Sequence, residues 1–316
     1  MTVGSSSTPA WLAVNAYCWG ARQSRLLSAA VAPLVRELHG EGLVRRAWFS
    51  RFDARGPHLF LLLGVNPGAE ARVRGLAAAR LEAWLAANPD AEPIPADERE
   101  RRHAECRGKY LCSQDREPGM APDGSVSVAE QEADEYPLWL FGGMAPAVED
   151  EFWEAAIEVL LWAADQGGTP SAGPAVAWVA AVDAALRAAG AGPDAWRYHA
   201  TTVLPPLAAR LRDEEPAVLA ALPNAVGERN RAALDAGWAG PVHPFAAEAA
   251  ARLVRAVLAP DTRSPMERWR ALREVTHCAL LTMGQPVSAH VPLVLYAWQR
   301  GLPRAAPPLA GSPHGG

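Results

Sequence analysis

The segment 48–64, which reads WFSRFDARGPHLFLLLG, constrains the fold of this chain more than any other. Two apolar runs, 47–52 and 58–65, flank the turn-forming residues 53–57 (Asp-Ala-Arg-Gly-Pro). Apolar runs on either side of such a turn are typical of a β-hairpin with a longer loop. A hairpin is therefore the first element that the sequence predicts.

Side-chain alternation along the first strand of this hairpin places Arg51 on the same face as Phe49 and Asp53. His58 directly follows the turn, so Arg51 and His58 are the polar pair of the hairpin. The residues alone leave two interpretations open. Arg51 either forms an ion pair with Asp53 that keeps an edge hairpin soluble, or belongs to a functional site.

The remaining pattern predicts an α+β fold with one domain over residues 1–316. A strand at 11–19 and a helix at 24–39 precede the hairpin, which gives the order β-α-β-β and suits a mixed sheet with helices on one face. The sequence Ser-Pro-Met-Glu at 264–267 is a capping box that opens a later helix. Residues 10–87 form a predicted sheet-forming part. Residues 88–134 are a long connection rich in Pro, Asp, Glu, Gly and Ser, and residues 135–304 are a mainly helical part.

Composition excludes several classes of function. The net charge of −5 and the lack of a basic stripe argue against nucleic-acid binding. No apolar run approaches the roughly 20 residues of a membrane span, and no signal peptide is evident, so we expect a soluble cytoplasmic protein. The four cysteines and eight histidines lack metal-binding spacing, so neither a metal nor a cofactor is predicted.

Three motifs in order along the chain resemble those of the lantibiotic-dehydratase C-terminal domain, also called the thiopeptide-type bacteriocin biosynthesis domain. The first is the hairpin motif, an aromatic pair, Arg, aromatic and Asp, followed by Gly-Pro-His-Leu at 56–59. The second is Asp-Glu-Tyr-Pro-Leu-Trp-Leu-Phe-Gly-Gly at 134–143, followed by a helical pattern at 147–165. The third is Pro-Val-Ser-Ala-His-Val at 286–291. The resemblance implies a fold similar to the glutamate-elimination domain of these dehydratases.

Phe60, Leu62 and Leu140 stand where glutamate-eliminating members of this family carry arginines. Because an apolar side chain cannot hold a carboxylate, the resemblance points instead to the stand-alone pyridine synthases of thiopeptide biosynthesis. These enzymes join two dehydroalanines by a formal aza-[4+2] cycloaddition, then eliminate water and the leader peptide to form a pyridine. The implied partner is a precursor peptide with a leader and an azole- and dehydroalanine-containing core, with transient contact to dehydratase subunits and no cofactor.

The matched motifs supply the candidate residues. The predicted catalytic residues are Arg51, His58, Ser288 and His290. The predicted substrate-binding residues are Gln285, Phe141, Tyr136, Trp19, Tyr296 and Trp298. The charged segment 98–110 is a predicted leader-binding site through Arg101, Arg102 and Arg107. The aromatic residues and His290 also fit a buried core, and the charged segment also fits a solvated helix face.

Two other classes of function remain open. The first is a glutamate-eliminating subunit of a split dehydratase, which the apolar replacements disfavour. The second is a non-catalytic leader-binding scaffold, which the retained residues Arg51, His58, Ser288 and His290 disfavour.

Overall fold

The computed structural model describes most of the chain between residues 10 and 301. The described residues are 10–89, 95–106, 116–117, 119–135, 138, 146–165, 167, 172–203, 217, 228–239, 244–259, 264–283 and 287–301.

Four strands form the sheet: β1 (Ala10–Tyr17), β2 (Val44–Phe52), β3 (His58–Val65) and β4 (Val126–Glu130). Their order is β2-β3-β1-β4, and every neighbouring pair is antiparallel. The α+β class and the hairpin are confirmed. The sheet is antiparallel rather than mixed, because β3 lies between β1 and β2 and pairs with both.

The helices near the sheet are α1 (Gly20–Leu26), α2 (Ala32–Gly40), α3 (Glu70–Ala87) and α4 (Ala96–Cys106). A π-helical turn, Leu27–Val31, joins α1 to α2 just before Pro33, which has no N–H to donate. The segment 88–134, predicted as a connection, also holds α4 and the edge strand β4.

The helical part contains seven described helices. They are α5 (Pro146–Asp165), α6 (Ala172–Ala188), α7 (Gly192–Val203), α8 (Glu228–Ala239), α9 (Pro244–Leu258), α10 (Pro265–Thr282) and α11 (Val287–Gly301). The capping box of α10 forms as predicted, since Ser264 Oγ accepts from the Glu267 N–H at 3.3 Å and Glu267 Oε2 accepts from the Ser264 N–H at 2.9 Å.

Helices cover both faces of the sheet, which corrects the prediction of helices on one face. Leu59, Leu61 and Leu63 belong to a core that includes α1, α2 and α3. Phe60 and Leu62 belong to a second core that includes α5 and α10. All eight residues of β3 are buried, because its apolar run is continuous and a run of that kind needs cover on both sides.

Gly64 is held by close packing between neighbouring strands. A Cβ atom at Gly64 would lie 2.8 Å from the Cβ atom of Arg46 and 3.0 Å from Cζ3 of Trp11. Both residues are its direct cross-strand partners, so neither can move away without disturbing the ladder.

We therefore expect Gly64→Ala to lower the free energy of unfolding by about 1–3 kcal/mol through overpacking. The matched control is Gly75→Ala on α3, where an added Cβ meets no atom within 4 Å. Because alanine favours a helix interior over glycine, this control is expected to raise the free energy of unfolding by about 0.5–1 kcal/mol. Urea unfolding measures both, and equal effects of the two variants would contradict the packing argument.

Candidate functional site

The sheet face that packs against α5 and α10 changes from apolar to polar along its length. Its apolar part is formed by Trp48, Phe60 and Leu62, which are all fully buried. Its polar part consists of Asn15, Tyr17, Ser50 and His58, here called the polar end of the sheet. These four residues are between 0% and 4% exposed.

The polar end is an ordered cluster rather than a set of isolated side chains. Asn15 Nδ2 donates to the Tyr17 hydroxyl at 3.4 Å, and the Tyr17 and His58 rings lie with centroids 4.9 Å apart. His58 Nδ1 lies 2.8 Å from the carbonyl oxygen of Gly56. Because a carbonyl oxygen only accepts hydrogen bonds, Nδ1 carries the proton, and Nε2 of the neutral ring is then a base.

Arg51 lies on the opposite face of the hairpin from His58. The strand register pairs Arg51 with Leu59. The guanidinium carbon of Arg51 lies 5.7 Å from the centroid of the Phe49 ring, which belongs to the core under α1 and α2. Burial lowers the pKa of Arg51 to about 10, and the charge of Cys18 partly opposes this shift. Arg51 and His58, predicted as the polar pair of the hairpin, therefore lie on different faces of one ladder.

Three histidines lie close enough in the helical part to interact electrostatically. His199 lies on α7, His277 on α10 and His290 on α11. His277 Nδ1 and His290 Nδ1 are 3.2 Å apart, and the two ring centroids are 5.0 Å apart. The ring of His199 stacks on Trp196, which donates through Nε1 to Asp183 Oδ1 at 2.9 Å.

All three histidine rings are shielded from water to different degrees. His199 and His290 are 2% and 1% exposed, whereas His277 is half-buried. Burial, reinforced by repulsion from His277, Arg273 and His290, lowers the pKa of His199 to about 3. Burial, with repulsion from His290 and Arg273, lowers the pKa of His277 to about 4. Both rings are therefore neutral at neutral pH.

Helix α10 connects the sheet to the histidines. Trp48 Nε1 donates to the carbonyl oxygen of Cys278 at 3.3 Å, and both residues are fully buried. Cys278 directly follows His277, so one helix contacts both β2 and His290. The candidate functional residues therefore lie in two places, the polar end of the sheet and the histidines carried by α7, α10 and α11.

Three predicted aromatic residues are largely enclosed by protein. Trp19 is 7% exposed just before α1, and Trp298 is 1% exposed within the helical core. Tyr296 is 2% exposed, and its hydroxyl donates to Asp235. Their predicted role as stacking surfaces stays a prediction, and in this structure their rings are covered.

Several predicted site residues fall outside the described part of the chain: Tyr136, Phe141, Gln285 and Arg107. Ser288 and Arg102 lie within α11 and α4, but only their backbone is described.

The predicted leader-binding helix α4 does not carry a clear positive charge. Its sequence, ADERERRHAEC, contains four acidic residues and three arginines. Arg101 forms an ion pair with Glu98 one turn away, at 2.7 Å. Binding of the leader through Arg101, Arg102 and Arg107 stays a prediction.

Sequence reasoning named His58 and His290 as candidates but did not name His277, His199, Asn15 or Tyr17. The sequence does contain a signal for Asn15 and Tyr17, because they are two residues apart and strand alternation places both side chains on one face of β1. His277 and His199 carry none, since only the packing of three helices brings them to His290. Within the part of the chain that the structure describes, no group of three or more His, Cys, Asp or Glu residues could hold a metal ion. None of the described helices is both long and apolar enough to cross a membrane.

The chain matches a family of lantibiotic biosynthesis over most of its length. The model of the family described as lantibiotic biosynthesis dehydratase C-term matches residues 11–292, and the chain belongs to this family. The resemblance seen in the three motifs is thereby confirmed.

The solved structures that match this chain include a pyridine synthase and a lantibiotic dehydratase. The pyridine synthase TbtD from thiomuracin biosynthesis superposes with a TM-score of 0.57 at 20% identity, over 92% of this chain and 97% of TbtD. The tRNA-dependent lantibiotic dehydratase MibB from Microbispora sp. 107891 matches with a TM-score of 0.41 at 17% identity, over 95% of this chain and 28% of MibB. Among curated proteins, no sequence matches. The likeness to TbtD establishes the fold that the two chains share.

The neutral histidines predict an unusual dependence of stability on pH. Since the folded-state pKa of His199 is about 3 rather than 6.5, the unfolded chain binds protons that the folded chain does not as the pH falls below about 6.5. The free energy of unfolding is therefore expected to decrease as the pH falls from about 7 to about 4. His199→Phe, which keeps a ring against Trp196, is expected to make this decrease shallower. Urea unfolding across that range measures it, and parallel pH profiles for the variant and the wild type would contradict the assignment.

Proposed function

We propose that this protein is a pyridine synthase of thiopeptide biosynthesis. Its substrate is a ribosomal peptide with a leader, azoles and two dehydroalanines. The enzyme joins the two dehydroalanines by a formal aza-[4+2] cycloaddition. Family membership and the fold shared with TbtD support a role in maturing a peptide of the lantibiotic or thiopeptide type.

The observation that carries the choice between the two main activities concerns Phe60 and Leu62. Both stand at motif positions where glutamate-eliminating family members have arginines, and both are fully buried beside Trp48. Elimination of glutamate releases a carboxylate, which a bidentate cation stabilises well. On this strand an apolar core replaces those cations, and that favours a reaction without a departing carboxylate.

The reaction itself is redox-neutral. One dehydroalanine amide shifts a proton from nitrogen to oxygen and becomes a 2-azadiene. This diene forms two C–C bonds with the second alkene, one from its Cβ atom and one from its imidic carbon, which gives a hydroxylated six-membered nitrogen ring, the hydroxypiperidine. Loss of water and of the leader as a carboxamide then makes the ring aromatic. Because no electrons are gained or lost overall, the chemistry needs no redox cofactor.

Positioning supplies much of the acceleration in such a reaction, since effective molarities reach about 10⁵–10⁸ M for well-oriented partners. The two eliminations additionally need proton transfer. In our proposal Nε2 of His58 accepts a proton from the ring, and His290 donates one to the departing oxygen. Ser288, two residues before His290 on α11, is the proposed donor that holds the hydroxyl. Arg51 faces the other core, and we assign it no contact with the substrate.

Mass spectrometry on two substrates tests the reaction class. From a peptide with azoles and two dehydroalanines, we expect loss of one water and of the leader carboxamide. From a glutamylated peptide, we expect no release of glutamate, because the arginines of the eliminating members are absent at positions 60, 62 and 140. Release of glutamate together with an unchanged bis-dehydroalanine peptide would make the protein an eliminase. Binding without either product would make it a scaffold.

His58→Asn isolates the proposed base. The asparagine amide can still donate to the Gly56 carbonyl, as His58 Nδ1 does, but it has no basic nitrogen at the position of Nε2. We expect turnover to fall by about 10²–10⁴-fold, the usual range for general acid–base catalysis.

The matched control for His58→Asn is His39→Asn. His39 Nδ1 lies 3.2 Å from the Val44 carbonyl, so the same substitution removes a comparable ring from a similar backbone contact outside the site. This control is expected to turn over like the wild type. Equal turnover by both variants, measured as cyclised product per unit time, would remove His58 from the mechanism.

A further inference from the structure

The contact between His277 and His290 fixes how protons are distributed over the two rings. Their Nδ1 atoms are 3.2 Å apart, which leaves room for one hydrogen between them. When both rings are neutral, one has its proton on Nδ1 and donates, while the other has its proton on Nε2 and accepts through Nδ1. The two histidines therefore hold opposite tautomers, and a change in one requires a change in the other.

The two rings differ in their access to water. His290 is 1% exposed, whereas His277 is half-buried on the neighbouring helix. A proton that leaves or reaches His290 through Nδ1 must pass through His277. The pair thus forms a path for protons from the protein surface through His277 to the buried ring of His290, the proposed acid.

The surroundings of the pair disfavour a positive charge on either ring. Arg273 lies one turn before His277 on α10, and His199 approaches from α7. The nearest acidic side chain along α10, Glu274, is itself in an ion pair with Arg273. Proton transfer through these rings is therefore favoured when both protons move together, so that neither ring becomes an imidazolium.

We propose that His277 is the positioning residue of His290 and relays protons between solvent and His290 during the two eliminations. This inference rests on the proposed function, because it assigns His290 the role of acid toward the substrate. It adds a residue that lies outside the three motifs and has no predicted role in the sequence.

The proton balance of the relay closes over one turnover. In the resting state His290 carries its proton on Nε2 and His277 carries its proton on Nδ1. As the C–O bond of the hydroxypiperidine breaks, His290 Nε2 gives its proton to the departing oxygen. His290 Nδ1 takes the proton of His277 Nδ1, and His277 Nε2 takes one from solvent.

The relay then runs in reverse. In the state left by the first elimination, His290 Nε2 is a base. It accepts the ring proton in the second elimination, while the proton that His58 took in the first elimination goes to the departing amide nitrogen. His277 then returns one proton to solvent, which restores the resting tautomers. One acid step and one base step thus reset the pair without rotation of either ring.

Two substitutions of His277 separate orientation from relay. In His277→Asn the side-chain amide can donate to or accept from His290 Nδ1, so the orientation of His290 is kept, but the amide does not pass a proton onward. His277→Ala removes both the contact that orients His290 and the group that relays the proton. We expect both variants to lose cyclisation turnover by about 10²-fold or more. We expect added imidazole to restore turnover in His277→Ala only, because the truncation leaves space for a free ring.

A purely structural role for His277 predicts a different outcome. His277→Asn would then keep wild-type turnover, and imidazole would not rescue His277→Ala; either result overturns the relay. His39→Asn controls for the loss of a histidine outside the site. If the wild-type protein makes no cyclised product, the proposed function fails, and the relay is then judged by the following measurement alone.

Nitrogen NMR of the ¹⁵N-histidine-labelled protein tests the pair without substrate. At neutral pH we expect the Nδ1–H tautomer for His277 and the Nε2–H tautomer for His290. The signals are assigned by their loss in His277→Asn and in His290→Asn. Identical tautomers in the two rings, or a positive charge on either, would overturn the proposal whatever the enzyme makes.

Discussion

Burial of β3 on both faces is the constraint on which the rest of this structure depends. All eight of its residues are buried, and it pairs with β1 on one side and β2 on the other. Alternate side chains therefore enter two separate cores, one with α1, α2 and α3 and one with α5 and α10. Since apolar burial contributes about 25 cal/mol per Å², each core stabilises the fold only when its helices are in place.

Local signals in the sequence predicted the hairpin, the α+β class and the capping box of α10, because turn residues and caps act over a few positions. The arrangement of helices on both faces was predictable in principle from the unbroken apolar run of β3. The edge strand β4 was missed because its sequence, VSVAE, is short and only half-buried. His290 was predicted through a motif, whereas the positions of His277 and His199 depend on helix packing that no local pattern encodes.

The candidate site combines two histidines held in different ways. His58 is oriented by a backbone carbonyl next to the turn, so its tautomer is set by the hairpin itself. His290 is oriented by the ring of His277, and the contact between the two Nδ1 atoms couples their tautomers. A fixed tautomer suits a group with one task, and a paired tautomer suits a group that must alternate between acid and base. Phe60 and Leu62, which the motif resemblance places at arginine positions of glutamate-eliminating members, make the adjoining strand face part of the core.

The hydrogen bond from Trp48 Nε1 to the main-chain carbonyl of Cys278 affects which substitutions the protein tolerates. Because the acceptor is a main-chain atom, any residue of suitable size at position 278 would supply it equally well. The link between the sheet and α10 can therefore persist while position 278 varies, and paired changes at 48 and 278 are not needed to maintain it. Methods that infer contacts from correlated substitutions would overlook this connection, although it helps to hold the histidine-bearing helix against the sheet.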